Sequence, residues 1–318
     1  MKREYTPTEL LICLAARLFE DRTTAFIGTG IPMLAAALAR KLYTPNLVPI
    51  FEFGGVGSPL EYLPRAVGEA RTFHRAVWAA GICEIMETSQ RGLVEYGFLG
   101  AAQIDPYGNL NTTVIGSYDH PKVRLPGAGG GNDVGSLCWR TIILMKHEKH
   151  RFVERLDFLT TPGYLEGGDS REKAGLPKGS GPYRVVTNLA VLGFDEKTKR
   201  MKLLSLNPGV TVEQVIENTR FELIIPDQVE VNDPPTEEEL RVLREEIDPE
   251  GFYLETVSGR ALDFVTFHCR KSQKTATVAI QRDRTGRIVD VLACSATDQE
   301  CEQECQEAIL RGMFKDNP

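Results

Sequence analysis

For about the first 160 residues the chain alternates apolar, β-rich runs with helical periods, and glycines close the strand-like runs. TAFIGTGIP is predicted to be a strand running into Gly28-Thr29-Gly30, IPMLAAALARKLYT a helix, and NLVPIFEFGG a second strand ending in glycines. Strands joined by helix-length crossovers lie parallel, so the pattern specifies an α/β fold: an open, mostly parallel sheet with flanking helices. In such sheets ligands bind at the carboxyl ends of the strands, where these glycines fall.

Further along, EYGFLGAAQIDPYGNLNTTVIG is predicted to form two strands joined by a Pro-Tyr-Gly-Asn turn. CWRTIILMKHEKHRF and RLDFLTT are apolar and β-rich, and PYRVVTNLAVLGFDEKTKRMKLLSLNPGV has the pattern of a hairpin turning at DEKTK. At the start, Thr8 ahead of Leu10, Leu11, Leu14 and Leu18 predicts a capped amphipathic helix. A Pro-Pro break and an acidic helix capped by Thr236 close the main domain near residue 255, so the expected division is 1–255 and 256–318. The tail reads as strand, hairpin and helix, a small C-terminal α+β appendage.

A net charge of −7 and the lack of a basic run argue against nucleic-acid or anionic-membrane partners. No 18-residue apolar stretch is present to span a bilayer, and the N-terminus lacks the small-residue cleavage site of a signal peptide. Seven cysteines, an odd number without a secretory signal, point to a cytoplasmic, mostly reduced protein.

Three glycine-rich stretches stand out: Gly28-Thr29-Gly30, Gly54-Gly55-Val56-Gly57, and Gly127-Ala128-Gly129-Gly130-Gly131-Asn132. Such backbone lets N–H groups converge on an anionic oxygen, a phosphate or a tetrahedral oxyanion, but glycine content alone fits tight turns equally. None matches the phosphate-loop or dinucleotide patterns. Glu52 sits in PIFEFGG, an apolar run that would bury it unless it stands at the strand's end. A carboxylate there is either a functional group or the partner of a distant arginine such as Arg65.

The ordered segments 100–109 (GAAQIDPYGN), 120–132 (HPKVRLPGAGGGN), Lys146-His147-Glu148-Lys149, Thr161-Pro162-Gly163 and FDEKTKRM resemble the β subunit of glutaconate CoA-transferase, a class I CoA-transferase. The resemblance covers about residues 5–254. In that family the catalytic glutamate follows an apolar strand, precedes a glycine and lies about eleven residues before a Pro-Arg pair. Glu52, Gly54 and Pro64-Arg65 occupy those places, whereas Phe53 replaces a small polar residue.

The resemblance implies transfer of CoA between an acyl-CoA and a free carboxylic acid through a covalent glutamyl-CoA intermediate at Glu52. It implies no tightly bound cofactor, with coenzyme A as substrate, and an α-type partner subunit in a heterodimer or α2β2 assembly. Glycine N–H groups of the 127–131 loop, with Gly129 and Gly130 foremost, are the expected oxyanion donors. Gly28, Gly30, Phe53, Gly54, Gly55, Gln103, Gly127, Gly131 and Asn132 are expected along the acyl and CoA cleft. A CoA-thioester hydrolase or lyase on the same fold, or a non-catalytic ligand-binding scaffold, are the alternatives.

Asn109 fits either a turn-stabilising or a site role. His147 and His150 lie in KHEKH, read as a solvated face or subunit contact, and their spacing lacks the third ligand a zinc site needs. Cys13, Cys83 and Cys138 are expected in the core. No metal is assigned. Cys269, Cys294, Cys301 and Cys305 are the only candidates, because three or four thiols could converge in the tail.

Overall fold

A computed structural model describes residues 5–249, 251, 253 and 254, together with the backbone of three strands beyond. The chain divides into two compact units, Met1–Ile247 and Asp248–Pro318.

The first unit is built on a ten-stranded sheet. Its strands, numbered along the chain, are β1 Thr24–Phe26, β2 Val48–Ile50, β3 Gly55–Val56, β4 Trp78–Ala79 and β5 Tyr96–Leu99, then β6 Arg140–Leu144, β7 Gly181–Val186, β8 Ala190–Phe194, β9 Met201–Leu206 and β10 Glu230–Val231. Their spatial order is β10-β9-β8-β7-β6-β5-β1-β2-β3-β4. The five central strands, β7-β6-β5-β1-β2, are all parallel. β3 and β4 continue one side antiparallel, as β8 and β9 do the other. The mostly parallel α/β sheet expected from the strand–helix alternation is therefore present, with meanders added at both flanks.

Four helices matter for the site: α1 Pro7–Ala16, α2 Ile31–Leu42, α3 Ile82–Gln90 and α4 Gly131–Leu137. α1 begins at Thr6, not Thr8. The Thr6 hydroxyl accepts from the Glu9 N–H while the Glu9 carboxylate takes the Thr6 N–H, and Pro7 fills the first helical position, where no N–H is needed. Every residue from Glu9 to Ala16 is buried, so α1 is an interior helix and not an amphipathic one.

The acidic segment is capped by Thr236, as its sequence indicates, and runs as helix Glu237–Arg241 into a π-turn at Val242–Ile247. It packs on α2, which moves the division between units to 247/248, ahead of the expected 255. Two other expectations are revised. RLDFLTT (155–161) forms no strand, and 182–210 holds three strands, because a tight turn at Thr187–Leu189 precedes the DEKTK turn. In the second unit, strands Leu262–Cys269, Lys274–Arg282 and Ile288–Cys294 form an antiparallel sheet, matching the strand and hairpin expected there. The hairpin's Arg-Thr-Gly turn and the expected final helix lie outside the described residues.

A core cluster joins the elements beneath the carboxyl ends of β1, β2 and β5. It contains Phe26, Ile50, Val56, Ile85, Val94, Val134 and Cys138, with Met86 and Leu99 packed against it. It fixes α3 and α4 against the strand ends that carry the glycine loops.

Candidate active site

β2 ends at Ile50 and the chain reverses at once. Gly54 N–H donates to the Phe51 carbonyl at 3.0 Å, which makes Glu52 and Phe53 the two central residues of a β-turn. Gly54 closes the turn at φ 118°, a conformation that favours glycine. The apolar run therefore buries Phe51 and lifts Glu52 off the end of the sheet, where it is half-buried. Phe53 beside it is 48% exposed, its ring resting near Gly68.

The carboxylate meets the third glycine stretch. A methyl group added to Gly130 would stand 2.8 Å from Glu52 Oε1, 3.3 Å from its carboxyl carbon and 2.9 Å from Met86 Cε. Only a glycine lets the backbone come this near. Among the described residues no hydrogen bond or ion pair engages the Glu52 carboxylate, so a pairing with Arg65 is not formed.

Within the loop the N–H groups have different fates. Gly127 N–H goes to the Thr112 carbonyl and Gly131 N–H to the Ala128 carbonyl, each at 2.8 Å. The Thr112 hydroxyl returns a bond to the Gly127 carbonyl at 2.8 Å. The N–H groups of Gly129 and Gly130 have no acceptor among the described residues. Gly127 and Gly131 thus anchor the loop, while Gly130 brings its backbone against the carboxylate and the N–H groups of Gly129 and Gly130 stay without an acceptor among the described residues.

β1 lies next to β2 with Phe26 paired to Ile50, so Gly28 and Glu52 both come two residues past a paired position. Gly28 and Gly30 face open space, Gly30 has φ 84°, and no side chain caps α2 behind them. This N-terminus offers unpaired donors to an anionic group on the same sheet edge as Glu52.

Other expected site residues are placed differently. A side chain on Gly54 would collide with the Ala80 carbonyl and one on Gly55 with the Thr72 carbonyl, so both are close-packing positions. Gln103 is buried, and its carbonyl oxygen accepts from Asn111 at 2.7 Å and the Asp157 N–H at 3.1 Å. Its amide donates to Asp157 at 3.0 Å, which makes it a brace for that loop and not a contact to substrate. Asn132 is exposed and donates to the Thr160 carbonyl. Asn109 is turn-stabilising: it donates to Asp105 and the Leu165 carbonyl and accepts from Gly163 and Leu165 N–H.

His147 is not on a solvated face. It is 2% exposed, stacks on Phe152 at 3.8 Å, and lies 2.9 Å from the Thr219 hydroxyl and 3.3 Å from that of Thr187. Burial pushes its pKa down to about 4. Cys13 and Cys138 are core residues, but Cys83 is exposed in the first turn of α3.

Among the described residues no three His, Cys, Asp or Glu are grouped to hold a metal. In the tail, Cys269 pairs with Lys274 and Cys294 with Val278, four residues further along the middle strand. Strand geometry puts the backbone of the two roughly 16 Å apart on outer strands. The thiols themselves, with the expectation that they converge, lie outside the described side chains. Cys301 and Cys305 lie outside the described residues.

Sequence reasoning passed over Arg171, Thr112 and Met86. Arg171 sits in DSREK, which has the composition of a solvent-facing turn, and nothing in that pattern signals its burial.

The family model described as coenzyme A transferase matches residues 8–218. The chain is 41% identical over 241 residues to the B subunit of 3-oxoadipate CoA-transferase from Pseudomonas knackmussii, covering 76% of this chain and 92% of the relative. It is 40% identical over 252 residues to the B subunit of glutaconate CoA-transferase from Acidaminococcus fermentans, covering 77% and 93%. The crystal structure of that organism's glutaconate CoA-transferase matches with a TM-score of 0.75 at 36% identity, over 79% of this chain and 98% of that one. A cholesterol ring-cleaving hydrolase IpdB subunit of Mycobacterium tuberculosis is 30% identical over 250 residues, covering 77% and 96%. With an acidic side chain and a glycine loop facing each other at the strand ends, and these relatives matched along most of their length, the chain belongs to the class I coenzyme A transferase family as a β-type subunit.

Proposed function

We propose that this chain carries the nucleophile of a two-subunit CoA-transferase, and that Glu52 forms the covalent intermediates. The observation that carries the reading is the Glu52 carboxylate lying against the Gly130 backbone, in a loop where the N–H groups of Gly129 and Gly130 have no acceptor among the described residues. A Glu52 oxygen attacks the acyl-CoA carbonyl, the C–S bond breaks, and CoA leaves as its thiolate with a mixed anhydride on Glu52. The thiolate then attacks the glutamyl carbonyl and the first acid leaves as a carboxylate, which yields glutamyl-CoA. An incoming carboxylate reverses both steps. No net proton moves, so no general base is needed. Each tetrahedral intermediate builds an oxyanion, and losing one donor from such a hole costs about 10²–10³ in rate. Gly129 and Gly130 are assigned as those donors, with Gly28 and Gly30 lining the cleft for the anionic parts of the substrate.

The partner is an α-type subunit, in a heterodimer or α2β2 assembly. Two relatives are named as B subunits, and the surface around Glu52 supports a covering chain. Phe53, next to Glu52 in the turn, is 48% exposed. Water at that surface would hydrolyse an anhydride. The acids named in the two transferase relatives, 3-oxoadipate and glutaconate, are dicarboxylates, and Phe53 favours a more apolar acyl group here. Buried thiols at Cys13 and Cys138 suit a reducing cytoplasm, and no helix among the described residues is long and apolar enough to cross a membrane.

The test is Glu52→Gln in the complex with its partner. The amide is nearly isosteric but cannot attack, so turnover falls more than ~10³-fold while fold and association persist. On wild type, borohydride trapping after acyl-CoA addition shifts the mass of the Glu52 peptide. Retention of more than a tenth of wild-type turnover by the glutamine variant refutes the covalent role. CoA release without an acceptor acid favours the hydrolase reading, which the half-exposed carboxylate and the hydrolase relative keep in view.

A further inference from the structure

Arg171 is a buried cation with no acid beside it. It is 2% exposed, and among the described residues no carboxylate pairs with it. Its guanidinium is spent on neutral oxygens from three segments. Nη1 donates to the carbonyls of Pro162 at 3.2 Å and Gly163 at 2.9 Å. Nη2 donates to the carbonyls of Gly135 and Ser136, both at 2.9 Å. The Ser180 hydroxyl accepts from Nε at 3.2 Å and from Nη2 at 3.1 Å.

Burial without a counter-ion costs enough to pull its pKa down to about 10. A planar fork satisfying this many carbonyls can offset such a cost, and a lysine's single ammonium cannot reproduce its reach.

Those carbonyls belong to the body that carries the glycine loop. Gly135 and Ser136 are in α4, whose preceding residue is Gly130. The same 160–163 turn also meets α4 directly, at both ends of the helix. Asn132 donates to the Thr160 carbonyl at 3.0 Å, and Gly135 packs so closely on Thr161 that a side chain there would collide with its methyl group. Asn109 grips the turn from the far side, accepting the Gly163 N–H at 2.7 Å. A path of direct contacts thus runs from Asn109 through Gly163 and Arg171 to α4, and from α4 to the Gly130 backbone beside Glu52.

We infer that Arg171 is a positioning residue for the reaction: by clamping α4 to the 160–163 turn it fixes the Gly130 backbone against Glu52, and with it the loop N–H groups assigned above as oxyanion donors. This rests on the transferase reading above. An oxyanion hole is effective only when its donors are fixed before charge develops, and a few tenths of an ångström of freedom in α4 would be passed directly to Gly130.

The test uses the full chain in complex with its partner, as Arg171→Lys and Arg171→Ala. Expected are a fall in kcat of about 10²-fold, comparable to loss of one donor, a KM for acyl-CoA within threefold of wild type, and faster amide exchange confined to residues 127–137. Guanidinium at millimolar concentration restores part of the kcat of Arg171→Ala and none of that of Arg171→Lys. A kcat per assembled site within threefold of wild type in Arg171→Lys overturns the inference. So does exchange that rises throughout β1, β2 and β5, because the arginine would then serve the fold at large. Should the wild-type complex show no CoA transfer, the functional reading falls, while the local exchange still reports whether Arg171 holds the loop.

Discussion

At position 147 an imidazole is shut into the core, stacked on Phe152 between two threonine hydroxyls, with its pKa pushed down to about 4. The unfolded chain protonates this histidine near its ordinary value of about 6.5, whereas the folded protein refuses the proton until about pH 4. Its contribution is therefore complete above about pH 6.5 and is lost as the pH falls towards 4, at up to about 1.4 kcal/mol per pH unit. Urea midpoints measured at pH 7 and pH 5 should lie closer together for His147→Gln than for wild type. An equal separation would mean that His147 already titrates in the folded state. The sequence context KHEKH concealed this, because Lys146, Lys149 and His150 are exposed and only Phe152, just past the patch, hints at an interior. Glu52 was legible for the opposite reason. An acid inside an apolar run that ends in glycine has few structural explanations, and the β-turn supplies the one that frees it. The burial of Arg171 left no trace in sequence, since its acceptors are mostly main-chain carbonyls that carry no residue identity.

Among elements, the acidic helix is tied to the first two helices by carboxylates of very different worth. Glu239 is fully buried and accepts from Arg17 Nε at 2.8 Å and Nη2 at 2.6 Å, from the Tyr43 hydroxyl at 2.7 Å and from the Thr236 N–H at 2.6 Å. Burial alone would raise its pKa, but Arg17, the Thr236 backbone and Tyr43 together hold it below the usual carboxylate range. Glu246 meets Lys41 at 2.8 Å with both side chains largely in water. Glu239→Gln leaves the partly buried Arg17 facing a neutral amide in place of a fully buried carboxylate and should cost about 3 kcal/mol. Glu246→Gln should cost less than about 1 kcal/mol. Equal losses in urea unfolding would show that the clip does not depend on burial. The helix itself was evident from Thr236 and the acids behind it, as were the central strands and the glycine-ended turns. The meander at 182–210 was compressed to one hairpin because its first turn, Thr187–Leu189, uses neither glycine nor proline. The Thr187 hydroxyl makes that turn instead, accepting from the N–H groups of Leu189 and Ala190.

For the molecule as a whole, the placement of the catalytic parts sets a sharp expectation for what the tail contributes. Glu52, the three glycine stretches, Arg171 and all ten strands of the main sheet fall within Met1–Ile247. The family model ends at 218, and the two transferase relatives are covered over 92% and 93% of their lengths while matching about three quarters of this chain. Among the described residues, none of the groups assigned to the chemistry lies beyond Leu254. Removing residues 256–318 should therefore leave kcat of the assembled enzyme within about threefold of wild type. A three-stranded sheet of this size buries little apolar surface on its own. A unit of that size is expected to gain stability by docking on other protein or by stapling through its cysteines. Truncation should then lower the melting temperature or weaken assembly before it touches turnover. Loss of CoA transfer in a truncated chain that still folds and binds its partner would put the tail in the active site and overturn that division of labour.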